Sequence, residues 1–126
     1  MNVLGLGMDI VETKRIADSL ERFGDRFLQR IFLEGEIAYA KSMKFPHLHL
    51  AARFAAKEAI SKAFGTGIGR ELGWRDLEIV RAPSGAPSVR LHGRAEAYAK
   101  SRGITQVLVS LSHTAEYGAA SAVLVG

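Results

Sequence analysis

Cysteine is absent from the 126 residues, which excludes disulfides, thiolate catalysis and zinc–thiolate sites and leaves any metal to oxygen or histidine ligands. Hard cations such as magnesium suit those donors best. No apolar run reaches the ~18–20 residues of a membrane-spanning helix, and the N-terminus lacks the charged and apolar regions of a signal peptide. A cytoplasmic protein without membrane contact is therefore expected. Internal repeats, low-complexity tracts and linker-like stretches are also missing. Residues 1–126 read as one domain, and 48% apolar content is enough for one sizeable core.

The charge balance is basic, with 17 Lys and Arg against 13 Asp and Glu. Residues 1–62 hold ten of the former and eight of the latter, and residues 63–126 hold seven and five. Neither half is a basic tail, so any anion is met by a local patch. A nucleic-acid module of this size would interleave aromatics with Lys and Arg on its strands. The strands here are aliphatic, and no nucleic-acid partner is expected.

The stretch from Arg53 to Phe64 reads as a helix, free of Gly and Pro and stopped by Gly65 in a left-handed cap. At about 100° per residue, Ala52, Ala55, Ala56, Ala59, Ile60 and Ala63 form an apolar arc, and Arg53, Lys57, Glu58, Ser61 and Lys62 sweep the opposite half. One face is expected to pack and the other to carry charge. Phe54 projects into the polar arc, where an aromatic gains nothing unless a ligand or a subunit covers it. The lone carboxylate Glu58 among Arg53, Lys57 and Lys62 can hold a divalent cation beside a phosphate. An ordinary amphipathic helix with an i,i+4 Glu58–Lys62 pair is the competing reading.

Val3 to Val11 reads as a strand whose two glycines, Gly5 and Gly7, line one face and permit close approach. The third glycine and the strand–turn–helix context of a dinucleotide fingerprint are missing. Asp9 is costly in so apolar a segment unless it is paired, bound to a metal or placed in a turn. Residues from Thr13 to about Arg30 read as helical, with a potential break at Gly24. On one ideal helix Arg15, Arg22, Arg26 and Arg30 fall within about 80° of one another. Such a stripe suits an acidic protein partner, or simply a solvated face diluted by Asp18, Glu21 and Asp25.

Glu34 to Ser42 suggests a short helix, which Phe45-Pro46 breaks before the central one begins. His47 and His49 fall in that connection and receive no role. Trp74–Val80 and Ser88–Leu91 read as strands joined through the turn Ser84-Gly85-Ala86-Pro87, and Gly93–Ser101 reads as a helix. Gln106–Thr114 and Gly118–Val125 read as a second hairpin. Ser112, His113 and Thr114 gather hydrogen-bonding groups at a strand end. Adjacent strand residues point to opposite faces, so Ser112 and His113 make no catalytic dyad, but His113 can meet a phosphate.

Three blocks together resemble the holo-acyl-carrier-protein synthase family: Gly5-Leu6-Gly7-Met8-Asp9-Ile10-Val11-Glu12, Arg53-Phe54-Ala55-Ala56-Lys57-Glu58-Ala59 continuing through Lys62 to Ile68, and Ser110-Leu111-Ser112-His113-Thr114. The resemblance covers nearly the whole chain, and the central block is the specific one. It implies an α+β fold, a small antiparallel sheet packed by helices, assembled as a homotrimer. The implied enzyme is a magnesium-dependent phosphopantetheinyl transferase serving fatty acid biosynthesis. It moves the phosphopantetheine arm of coenzyme A onto a serine of apo acyl carrier protein and releases adenosine 3',5'-bisphosphate.

Carried over by position, Asp9 and Glu58 would hold magnesium, and Glu58, Asp9 and Lys62 would form the catalytic group. Glu58 ranks above Asp9 as the base, and Lys62 is the residue to stabilise charge on the transferring phosphate. Arg53, Phe54, Lys57, Lys62, Ser112, His113 and Thr114 would surround coenzyme A, some of them from an adjacent subunit. Gly65, Thr66, Gly67, Gly85 and Pro87 would line the remainder. Arg15, with Arg22 and Arg26, would dock the acidic carrier protein. A different magnesium-dependent phosphotransferase or hydrolase would need a further base or nucleophile, and none is found.

Overall fold

A nineteen-residue helix, Pro46–Phe64, forms the axis of the fold in a computed structural model that describes residues 1–126. Chain order is strand β1 (Val3–Glu12), helices α1 (Thr13–Phe23), α2 (Asp25–Ile31), α3 (Glu34–Lys41) and α4 (Pro46–Phe64), then a 3-10 turn at Trp74–Asp76. Strands β2 (Leu77–Arg81) and β3 (Pro87–Leu91), helix α5 (Gly93–Ser101) and strands β4 (Gln106–His113) and β5 (Tyr117–Val125) complete it. The architecture is α+β: an antiparallel sheet of order β1-β5-β4 beside a separate β2-β3 hairpin.

Alternation along the strands decides which side of the sheet meets α4. Gly118, Ala120, Ala122 and Leu124 of β5 are buried, and Val11 of β1 joins them. Small residues at the contact let the backbones approach closely. A Cβ added at Gly7 would stand 1.9 Å from the Ala59 carbonyl oxygen, one at Gly5 would stand 2.2 Å from that of Ala63, and one at Gly118 would stand 2.7 Å from the Ala51 carbonyl carbon. The expected close approach of the glycine face is thus observed, and Asp9, two residues beyond Gly7, shares that face.

The opposite face of the sheet is apolar and open. Leu6, Met8 and Ile10 are 71%, 71% and 64% exposed. Through β5, Leu6 lines up with Val123 and Leu108, and Met8 with Ser121 and Ser110. The apolar band therefore runs along β1, extended across the sheet at Leu6 and bordered by serines at Met8.

Three local expectations are corrected. Helix α4 begins at Pro46, because proline at the first helical position supplies a fitting φ and loses no hydrogen bond. His47 and His49 are therefore helical, not parts of a connection. Gly24 does break the first helical segment, adopting φ 56°, a region glycine enters without a Cβ penalty. Arg15 and Arg22 consequently lie on α1, and Arg26 and Arg30 on α2, all exposed; they are not one ideal-helix stripe.

The third correction concerns the two-faced central helix. Arg53, Lys57 and Ser61 are buried along with its alanines, because α1, α3 and β2 cover the side that the sheet does not. Helix α4 is buried nearly all round. Its apolar side chains join a single core that includes Ile16, Leu28, Phe32, Leu72, Leu77 and Leu124.

Candidate functional site

Asp9, Glu58 and Lys62 come together where β1 runs across the second half of α4. The Lys62 ammonium donates to Asp9 Oδ1 at 2.8 Å and to the Met8 carbonyl at 3.2 Å. Asp9 is 16% exposed in its side chain, and the hydrogen bond to Asp9 raises the Lys62 pKa. Burial raises the Glu58 pKa, the nearby Asp9 charge raises it further, and Lys62 and Arg15 oppose the rise. Two carboxylates that repel each other from facing elements, relieved by one lysine, make a site that demands positive charge. The sequence expectation of an i,i+4 Glu58–Lys62 pair is replaced by the cross-element pair with Asp9.

Gly65, Thr66 and Gly67 follow Lys62 in the turn that ends α4. Gly65 takes the expected left-handed cap, φ 81°, and the Thr66 and Gly67 amides both donate to the Ser61 carbonyl at 3.2 Å.

A second group lies round the helix. Arg53, Gly85, Pro87, Ser112 and His113 line one cavity of about 210 Å³. Arg53 is 6% exposed, and its Nε is buried without a hydrogen-bond partner. The His113 ring meets that of His49 edge-on at 4.9 Å. Burial lowers the His49 pKa, and the charges of His113, Arg53 and Arg81 lower it further. A buried guanidinium with an unused donor, with Arg81 lining the same cavity, is arranged for an anion.

Tyr39, His49 and Arg81 also line this cavity; the sequence reading gives His49 no role and does not single out the other two. His49 stands four residues before Arg53, the spacing that puts two side chains on one helical stripe. That signal becomes readable only once α4 is extended to Pro46. Tyr39 and Arg81 arrive from α3 and β2 with no local pattern to announce them.

The remaining motif residues sit elsewhere. Lys57 is fully buried, and its ammonium donates to Glu36 Oε1 at 2.8 Å, the Ile31 carbonyl at 2.9 Å and the Trp74 carbonyl at 3.0 Å. All three of its protons are used. Glu36 in turn accepts from the Leu33 and Ile79 amides at 2.8 and 3.0 Å, so this pair ties α2, α3, α4, the 3-10 turn and β2 together. Phe54 stacks on Trp74 with ring centroids 5.0 Å apart, an internal partner in place of the expected external cover. Thr114 Oγ1 is occupied in its own turn, accepting from the Glu116 and Tyr117 amides.

On the α1–α2 side, Arg26, Arg30, Phe23, Phe27, Ile31 and Trp74 line an open groove of about 430 Å³, and the Arg22 guanidinium lies 5.2 Å from the Phe23 ring centroid. A larger hollow of about 570 Å³ between α2 and α3 holds none of the motif residues. No helix is long and apolar enough to cross a membrane.

Comparison with known proteins gives a consistent picture. Residues 5–120 match the 4'-phosphopantetheinyl transferase superfamily. A holo-[acyl-carrier-protein] synthase of Koribacter versatilis is 48% identical over 122 residues, covering 97% of this chain and 98% of that protein. The crystal structure of holo-[acyl-carrier-protein] synthase from Neisseria meningitidis superposes with a TM-score of 0.92 at 33% identity, over 99% of this chain and 100% of that one. That of the Helicobacter pylori synthase in complex with coenzyme A gives 0.85 at 34% identity, over 95% and 99%.

Proposed function

The chain belongs to the 4'-phosphopantetheinyl transferase superfamily, and on that premise we propose how its residues carry the reaction. The enzyme transfers the 4'-phosphopantetheine group from coenzyme A to a serine of apo acyl carrier protein, leaving adenosine 3',5'-bisphosphate. The observation that carries the assignment of residues is the meeting of Asp9, Glu58 and Lys62, with Asp9 and Lys62 bonded although 53 residues apart in the chain.

The serine oxygen forms a bond to the phosphorus that bears the pantetheine arm, and the bridging P–O bond to the nucleotide breaks. Glu58 accepts the serine proton, directly or through one water, and its raised pKa suits a base that must hold that proton transiently. Lys62, on a flexible stem and half-exposed, neutralises charge on the transferring phosphate or the leaving group. Asp9 and Glu58 are the residues that would hold magnesium, and their mutual repulsion supports the fit. Magnesium is commonly held by one or two carboxylates together with substrate phosphates and water. When bound it supplies charge neutralisation of the pyrophosphate.

Arg53, with His113, Ser112 and the Gly85–Pro87 turn, receives a phosphate of the nucleotide half of coenzyme A. On α4, Arg53 and Lys62 are nine residues apart, which places them on roughly opposite sides of the helix axis, about 180° round it. One chain thus presents two half-sites. A homotrimer, with the open apolar face of β1 buried against a neighbour, would bring one subunit's half to another's. Lys57 is assigned to the scaffold rather than to the ligand. Phe23, Phe27, Arg15, Arg22, Arg26 and Arg30 offer an apolar floor with basic edges, suited to a helix of the acidic carrier protein.

The test is incubation with apo acyl carrier protein, coenzyme A and magnesium, followed by mass spectrometry of the carrier. A phosphopantetheine mass gain that disappears with chelator is expected. No gain over a panel of carriers would overturn the reading.

A further inference from the structure

Tyr39 is the meeting point of two like charges, Arg53 and Arg81. The Arg53 guanidinium carbon lies 4.3 Å from its ring centroid and that of Arg81 lies 4.9 Å from it. Arg81 Nη1 also donates to the Tyr39 phenol oxygen. The His49 ring meets the same ring edge-on at 5.7 Å. Neither arginine forms an ion pair with a carboxylate. Their proximity is unfavourable by charge, and Arg53 has also lost solvent.

We propose that Tyr39 is a positioning residue, whose ring and phenol oxygen hold Arg53 and Arg81 side by side as a preformed clamp for a phosphate monoester of the nucleotide half of coenzyme A. This rests on the reading of the Arg53 cavity as a phosphate subsite. The quadrupole of an aromatic ring attracts a guanidinium to its face, and the hydroxyl fixes the second guanidinium by a hydrogen bond the ring alone cannot offer. Two cations already fixed against one ring lose little freedom when the anion arrives, although only Arg53 is buried and Arg81 is exposed. The buried, unpartnered Nε of Arg53 is the sign that the clamp is built for something besides the ring. Tyr39 acts through the arginines and touches no reacting atom.

The probe is adenosine 3',5'-bisphosphate, titrated calorimetrically into the full-length protein, with coenzyme A kinetics alongside. Tyr39→Leu is expected to weaken the bisphosphate about tenfold, and Tyr39→Phe, which keeps the ring and loses the phenol bond, about two- to threefold. KM for coenzyme A should rise in the same order, with kcat changing less than about twofold, because Asp9, Glu58 and Lys62 stand apart from the clamp. Adding Arg81→Ala to Tyr39→Leu should cost less than the product of the two single effects. A purely structural Tyr39 would lower the melting temperature and leave affinity at 20 °C and the KM-to-kcat pattern alone.

Parental affinity in Tyr39→Leu, or strictly multiplicative effects in the double variant, would overturn the proposal. Should Tyr39→Leu fail to fold, Tyr39→Phe decides alone, and parental affinity there overturns it. If the unmodified protein binds neither bisphosphate nor coenzyme A, the phosphate reading of the cavity itself fails, an outcome distinct from failure of the clamp.

Discussion

Lys62 is docked on Asp9, its ammonium 2.8 Å from the carboxylate oxygen, and the pair joins the end of α4 to the middle of β1. The lysine thereby neutralises one of the two carboxylates assigned to the metal. A divalent cation bound there would compete with this ammonium for the same oxygen.

Removing the competitor should therefore tighten the ion. Lys62→Met is expected to bind manganese, measured by electron paramagnetic resonance without coenzyme A, about three- to tenfold more tightly than the parent. Arg15→Met, whose charge also acts on Glu58, should gain less because it frees no carboxylate oxygen. Equal gains in both variants would reduce the pair to a general charge effect. Turnover in Lys62→Met should fall even at saturating metal.

Glu58→Gln should separate stability from activity. The Glu58 pKa is raised in the folded protein by burial and by Asp9. Its contribution to stability is complete below the ordinary value of 4.5 and is lost as pH rises through the folded value. At pH 7.5 with chelator, the amide variant should melt at or above the parental temperature and lose its share of that pH dependence. Its transfer rate should fall about 10²- to 10⁴-fold. A variant that transfers normally would remove Glu58 from the mechanism.

Lys57 is predicted to report on folding rather than on coenzyme A. Lys57→Met strands the Glu36 carboxylate in the core, a loss of about 3–5 kcal/mol when one partner of a buried pair is removed. Urea unfolding measures it. Glu36→Gln in the same background should recover part of the loss by removing the stranded charge. KM for coenzyme A in the folded fraction should stay near the parental value, and a large rise would return Lys57 to the ligand site.

Met8→Glu tests the assembly. Placed in the exposed apolar row of β1, a carboxylate gains no intrachain burden but cannot enter a dry subunit contact without cost. If the proposed trimer uses this face, sedimentation equilibrium should show trimers for the parent and monomers for the variant, with transfer lost because the two half-sites would no longer meet. An unchanged trimer would place the interface on another face.

Much of the fold is readable in the sequence alone. Alternation identifies the strands, helical spacing identifies α4 from Arg53 onward, and the anomaly of Asp9 in an apolar strand calls for a pairing, a metal or a turn, of which the pairing with Lys62 is observed. Most of the failures share one cause, which is that burial depends on elements distant in the chain. Lys57 reads as surface because nothing near it announces Glu36, 21 residues earlier. Phe54 reads as unprotected because Trp74 lies past a glycine-rich turn. His49 is a separate, local case: Pro46 reads as a stop and is in fact the start of α4. Arg53 was found as a cation, yet the tyrosine and second arginine around it come from separate elements and carry no periodic signature.

The contact between β1 and α4 fixes more than the packing of a sheet. At Gly7 the helix backbone occupies the space a side chain would need, and Asp9 leaves the same strand face two residues later, opposite Glu58 and Lys62. The gap across the site is consequently gauged by main chain against main chain, with no compressible side chain in between. Exchanging the carboxylates proposed to hold magnesium, to suit a wider ion, would leave that gauge untouched. The adjustable dimension belongs to a residue with no functional group at all.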